Sequence, residues 1–381
     1  AFIGSTILGI GFGLQPFSEA YIGPYVQEQL HTALNGTVSY ESFHVGWDGS
    51  VQVEDVTVDD TKGNRVLTAD MVTVSIQWLH VLQYPFGNVS PDALIGTITV
   101  TAPHVNVVQE GDGEWNLSKL VKARESETQS QFSGLIRLEN GTVSLMMPQR
   151  SPLVLTNVNA SVVGDGGHTL ESVIDTTLGN DKIHGKVTLG LGETTDRSFY
   201  LESSHLELKP ILESFDIVDA EHAFTGTLTD VAVTMQKRSG FWYGEGQLSF
   251  DNVGAKVDGY TLQKGKGHVQ IHGDVVTLQN VEAEINDEHL FLGGTVHHVF
   301  DEDPTLHLSI GLKEWSLAPF TQGQGTGYIS GDAIVTGPIS NVRGSADIQV
   351  HDVTYNGITL NRGTAHVAYG DQTIQISDMM A

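Results

Sequence analysis

The sequence predicts a mostly β protein of antiparallel strands, with helix confined to the N-terminal end and a few short pieces. Three observations predict it. From Gly36 onward apolar and polar residues alternate, as in Val72, Val74, Ile76 and Trp78 against Thr73, Ser75 and Gln77, the period of a half-buried strand. Turn-forming residues punctuate the alternating runs, at Gly49, Asn140-Gly141, Asp258-Gly259 and Asn356-Gly357, and such pairs favour hairpins. Helical spacing is scarce after Gly36.

Taken in order, residues 1–14 (AFIGSTILGIGFGL) carry no charge. A bilayer span needs about 20 apolar residues, so this run reads as the C-terminal part of a membrane anchor. Residues 15–36 read as an amphipathic helix, with Ile22, Tyr25, Val26, Leu30, Ala33 and Leu34 at helical spacing, Pro24 in the first turn and Gly36 as the stop. Residues 37–125 form a β module with strand positions Val72, Val74, Ile76, Ile98, Val100, Val105 and Val107, closing on a short helix from Leu117 to about Arg124. Ala123 to Gln131 is polar enough for a loop.

Residues 132–381 read as repeated β blocks, truncated at the C-terminus. Their strand positions include Val143, Leu145 and Met147, then Val187, Leu189 and Leu191, then Leu248 and Phe250. Further on come Val269, Ile271, Val276, Leu278, Leu306, Leu308, Ile310, Leu312, Ile348, Val350, Val367, Ile374 and Ile376. Short helical or turn pieces fit Lys209 to Leu212 and Ala318 to Phe320. Counting the alternating segments gives on the order of 20 strands, about five or six residues each.

An internal repeat underlies these blocks. Val257 to Asn280 aligns without gaps on Tyr355 to Asp378 at an offset of 98, matching Gly259 with Gly357, Leu262 with Leu360, Gly265 with Gly363 and His268 with His366. A looser echo relates Leu206, Leu208 and Pro210 to Trp315, Leu317 and Pro319. A multi-strand unit is being reiterated, which suits a sheet extended by blocks.

Composition narrows the function. The 381 residues carry 19 Lys+Arg against 46 Asp+Glu, a net charge of −27, whereas nucleic acid is bound by a basic face. The absence of cysteine excludes disulfides and thiolate chemistry. No His-Glu-x-x-His, Gly-x-Ser-x-Gly or phosphate-loop pattern occurs. Gly323-Gln324-Gly325-Thr326-Gly327 lacks the Lys-Ser/Thr of a phosphate loop and reads as an inter-repeat hairpin. His297-His298 with Asp301-Glu302-Asp303 has imidazole and carboxylate but no metal-loop spacing, and reads as a solvated turn. The expectation is therefore a protein that is not an enzyme and holds neither cofactor nor metal. Trp78, Trp115 and Trp242 read as seals at ends or turns.

Each strand offers one aliphatic face, and too few helices follow to cover a sheet of this size. Two answers remain on these grounds: sheets packed as sandwiches, or one sheet curled with its apolar face inward. In the second case the interior is an aliphatic trough suited to acyl chains. Aromatics are few among the strand positions, and planar ligands would call for stacking rings.

One stretch carries a resemblance. Gly49 to Val58 is a Gly followed by two short alternating strands, and Leu67-Thr68-Ala69-Asp70 opens the strand to Trp78. Ile98-Thr99-Val100 and Pro103-His104-Val105-Asn106-Val107 follow, then Gly113-Glu114-Trp115-Asn116-Leu117-Ser118-Lys119-Leu120. In this order the motifs resemble the AsmA-like superfamily, most closely its TamB-like translocation and assembly branch. The resemblance implies an elongated, curled antiparallel sheet, an open β-groove built from repeats, with an N-terminal helix. It implies a periplasmic location, anchored in the inner membrane of a diderm bacterium, and phospholipid transport between inner and outer membrane through the groove. It also implies an alternative, a scaffold for outer-membrane protein or autotransporter assembly with a TamA-type barrel partner. On this reading the groove is lined by Val72, Val74, Ile76, Ile98, Val100, Val143, Leu145, Val187, Leu189, Leu191, Leu248, Phe250, Val269, Ile271, Val276, Leu278, Leu306, Leu308, Ile310, Ile348, Val350, Val367, Ile374 and Ile376.

Overall fold

The computed structural model describes residues 35–46, 50–76, 95–111, 113–120, 134–164, 169–190, 196–214, 224–257, 260–319, 321, 323–370 and 373–380. The anchor reading of residues 1–14, nearly all of the 15–36 helix, Trp78, Leu191 and the 123–131 loop lie outside them. Among the described residues there are twenty-one strands and no helix long and apolar enough to cross a membrane. The expected fold class holds: the chain is mostly β, and its strand pairing is mostly antiparallel. It divides into two compact units, residues 1–199 and 200–381.

The first unit opens with β1 (Gly36–Ser39) and β2 (Ser42–Val45), which both pair with β3 (Val51–Asp60). β3 pairs in turn with β4 (Arg65–Ile76). β5 (Ile95–Thr101) and β6 (His104–Val108) each lie antiparallel to β4, and β7 (Leu135–Met146) runs parallel to both of them. Between β6 and β7 sits the short helix α1 (Asn116–Leu120), where the sequence places one. β8 (Leu153–Gly164), β9 (Thr169–Leu178) and β10 (Asp181–Gly190) then continue as an antiparallel meander.

β11 (Arg197–Glu207) spans the boundary between the units, and α2 (Leu208–Ser214) forms at the predicted Lys209 to Leu212 piece. Among the described residues the rest of the second unit is an antiparallel meander. Its strands are β12 (Phe224–Arg238), β13 (Phe241–Val257), β14 (Tyr260–Gly273), β15 (Val275–Ile285), β16 (Glu288–His297), β17 (Thr305–Ser316), β18 (Gly325–Pro338), β19 (Arg343–Tyr355), β20 (Ile358–Gly370) and β21 (Thr373–Met380). Each is antiparallel to the next.

One local device recurs in both units. Asp55, Asn157, Asp230, Asn252, Asn280, Asp352 and Asp378 have φ between 49 and 52° inside strands, a left-handed conformation that Asn and Asp tolerate better than other side chains. Each precedes an apolar residue: Val56, Val158, Val231, Val253, Val281, Val353 or Met379. Register shifts mark several as β-bulges, between Thr156 and Asn159, Thr229 and Ala232, Phe250 and Val253, and Leu278 and Val281. A bulge bends its strand and sharpens the twist, so strand after strand bends at neighbouring places. At four of the seven places the following residue is a buried valine: Val56, Val158, Val231 and Val281.

The bulges correct two expectations. Most strands are longer than five or six residues, up to 17 in β13, because each bulge flips the alternation phase and makes one long strand read as two. Asn140-Gly141 is no hairpin but a bulge within β7, with Asn140 at φ 56° and register shifts on both sides of Gly141. Asn356-Gly357 does join β19 to β20, both residues at positive φ. Gly49 and Asp258-Gly259 lie outside the described residues.

Candidate functional site: an aliphatic sheet face

Residues paired across neighbouring strands share a face, so the register assembles the predicted apolar positions into continuous rows. In the second unit one row runs Leu248, Val269, Leu278, Gly294, Leu308, Val335, Gly344, Tyr369, Ile374. On one side of it lie Ile271, Val276, Val296 and Leu306 in mutual register. On the other lie Val281, Leu292, Ile310, Ala333, Ala346, Val367 and Ile376. Ile348 and Val350 extend the face toward the other strand ends, opposite Gly331 and Ile329. Phe250 lies over Gly267, where an added Cβ would meet its ring.

The first unit repeats the arrangement. Val53, Val72, Val100, Leu138, Ala160 and Ile174 form one row, and Val51, Val74, Ile98, Ile136 and Val162 the next. That second row continues to Ser172 and Val187 on β10, with Leu189 beside it opposite Leu170. Leu67, Val105, Val143, Leu155 and Leu178 form a third, flanked by Leu145 opposite Leu153. Ile76 is in register with Ile95.

The register also recruits residues absent from the expected lining, among them Ile136, Leu138, Leu155, Leu292, Val296 and Val335. Most stand beside a bulge or a small partner such as Gly294 or Ala333, which interrupts the alternation that would have revealed them.

Burial separates this face from a packed core. Val72, Val74, Ile98, Val100, Val143, Leu145, Val187, Leu189, Leu248, Phe250, Val269, Ile271, Val276, Leu278, Leu306, Leu308, Ile310, Ile348, Val350 and Val367 are all only half-buried. Ile374 and Ile376 are 68% and 57% exposed. Within the rows Val51, Leu178 and Val281 are buried; other buried apolar residues lie at the bends, as Val56, Val158 and Val231 do, and at the α1 end of the first unit, where Val58, Val66 and Leu120 cluster with Val38 and Leu67 beside them.

α1 is fixed to the sheet by the asparagine of the Trp-Asn-Leu motif. Asn116 Oδ1 accepts from the Val108 N–H at 2.9 Å, its Nδ2 donates to the Asn106 carbonyl at 2.8 Å, and the Leu120 carbonyl accepts from the Asn35 N–H at 2.7 Å. Leu120 packs there with Val58 and Val66, next to Gly36 of β1. Trp115 sits at the turn into this helix and Trp242 beside the β12–β13 turn.

The opposite face is mostly polar, with exposed Val163, Phe291 and Ile334 among its residues, and is laced with cross-strand pairs. Gln247, Gln270, Thr277, Thr295, His307 and Thr336 form one of its rows. His184 pairs with Asp175, His272 with Glu245 and His366 with Asp347, at 2.7, 3.0 and 2.8 Å. Glu284 takes Lys264 at 2.9 Å, and this ammonium foremost holds its carboxyl below the usual carboxylate range. A depression of about 450 Å³ edged by Arg137, Glu139, Ser161 and Asp175 also lies on the polar face of its unit.

The two motifs weighed for other chemistry fall elsewhere. His298 bonds Asp274 at 2.8 Å, His297 bonds Thr295 at 3.0 Å, and Asp303 accepts from Ser340, so these side chains point to separate partners. Among the described residues no group of three His, Asp or Glu side chains gathers as for a metal ion. The Gly323–Gly327 stretch lies in the connection from β17 into the start of β18, where Gly327 packs against the backbone of Val353.

Fold and site together define a class: a mostly β repeat protein whose sheet has one aliphatic, half-exposed face and one polar, charged face. No family model, no curated protein and no solved structure matches the chain.

Proposed function

We propose that the chain conducts phospholipid, holding acyl chains against its aliphatic rows while headgroups stay in water. The observation that carries this reading is the half-burial of rows such as Leu248, Val269, Leu278 and Leu308, with no second apolar layer among the described residues of their own unit. Such a surface has a physical use. Wetting a methylene costs about 0.8 kcal/mol, so a tail of a dozen methylenes resists water by roughly 10 kcal/mol. A face of branched aliphatics removes most of that barrier without binding any one tail tightly.

The motif order from Gly36 to Leu120 supports the same reading, because it resembles AsmA-like proteins of the TamB-like branch. With it we propose a periplasmic location, attachment to the inner membrane through residues 1–14, and delivery toward the outer membrane. A TamA-type outer-membrane barrel is the proposed partner in the alternative assembly role.

Photocrosslinking residues placed at Leu278, Leu308 and Ile310, and at Gln270 and Thr295 on the polar face, test the proposal in cells. Lipid adducts confined to the first three are expected. Polypeptide adducts there would favour the assembly role, and adducts of neither kind would overturn both.

A further inference from the structure

We propose that the β12–β13 hairpin tip is a docking element for an anionic bilayer surface. The proposal stands apart from the transport reading and concerns a different part of the second unit. In a chain with net charge −27, residues 231–244 contain Lys237 and Arg238 and no carboxylate. The strands meet at Ser239-Gly240, with φ 51 and 91°, a tight two-residue hairpin turn of left-handed conformation. Immediately after it come Phe241, Trp242 and Tyr243.

These aromatics are not core residues. Phe241 is 68% and Tyr243 45% exposed. Phe241 pairs in register with Arg238, Trp242 with Lys237 and Tyr243 with Gln236. Alternation therefore sets Phe241 and Tyr243 on one side of the hairpin and Trp242 on the other, so aromatic surface surrounds the tip. Lys237 Nζ stands 5.8 Å from the Trp242 ring centroid, and Arg238 is exposed.

The chemistry selects the partner. Indole and phenol rings settle at the boundary between acyl chains and water, and nearby cations pair with lipid phosphates. A tip with three rings and two cations matches that layered boundary. Among the described residues this tip differs from the β14–β15 and β16–β17 turns at the same strand ends, which carry Asp274 and Asp301 to Asp303 and are repelled by anionic lipid.

The absence of cysteine allows a direct test on the full chain. Ser239→Cys is labelled with a nitrobenzoxadiazole fluorophore, as is Asn356→Cys at the β19–β20 turn on the opposite strand ends. Both are mixed with phosphatidylcholine vesicles, with or without phosphatidylglycerol. The expected result is a blue shift at position 239 with anionic vesicles, quenched by brominated acyl chains and reversed by salt, while position 356 keeps its aqueous emission. Lys237→Glu with Arg238→Glu should lower the apparent affinity about tenfold or more, and Phe241→Ser with Tyr243→Ser should abolish the shift with the β circular dichroism retained. Aqueous emission at 239 with vesicles bound through another region would overturn the proposal. So would an equal response at 356, or recovery of a protein partner at the tip without any lipid response.

Discussion

Asn116 is 5% exposed, and both ends of its amide are used, one on the Val108 N–H and one on the Asn106 carbonyl. Replacing it leaves two backbone groups without their partner near the Val58, Val66 and Leu120 cluster. Asn116→Ala should therefore cost about 1–3 kcal/mol, read as a lower urea midpoint at unchanged slope. Glu110 works through charge, accepting from Lys119 and Lys62 at 2.7 Å each. Lys119 first and Lys62 second hold its carboxyl below the usual carboxylate range. A folded-state value lowered in this way contributes stability fully above about pH 4.3, and that contribution disappears as the pH falls through the lower folded value. Urea titrations should find Glu110→Gln less stable than the parent at neutral pH and the two converging in acid. A gap that widens in acid would contradict the assignment.

At the scale of elements, the bulge decides both what the sequence revealed and what it hid. Asn140-Gly141 and Asn356-Gly357 are the same dipeptide with the same left-handed asparagine, yet only the second ends a strand. The local conformation was legible in both, but the choice between bulge and hairpin belongs to the distant partner, since Gly141 faces Val158 while β7 runs on to Met146. For the same reason the aliphatic positions were legible within half-strands, such as Leu306, Leu308 and Ile310. The junctions that add Leu138 or Leu292 to those rows were not. The recurring Asx-Val pairs, Asn157-Val158, Asp230-Val231 and Asn280-Val281, were the available signal. Asn280→Val places a β-branched side chain at φ 51° and should destabilise by about 1–2 kcal/mol, whereas Asn280→Gly should be nearly neutral there because glycine adopts that conformation freely. Equal losses for the two, measured by denaturation, would mean that the bulge depends on the asparagine amide rather than on backbone conformation.

For the whole molecule, the central matter is whether the aliphatic face is a surface or a core in disguise. Leu308 stands between Gly294 and Val335 in the register and is half-buried. A carboxylate there keeps access to water, so Leu308→Asp should retain the β spectrum while repelling acyl chains; in a packed core the same change would unfold the second unit. His-carboxylate pairs, the Lys264–Glu284 ion pair and a net charge of −27 keep the other side of the sheet solvated and oppose association of its copies. The most direct measurement is native mass spectrometry of the purified chain. Carriage of lipid by the aliphatic rows predicts mass increments of whole phospholipids, lost in Leu308→Asp and Ile310→Asp chains that remain folded. A wild-type chain that flies bare, even after incubation with phospholipid vesicles, would contradict it.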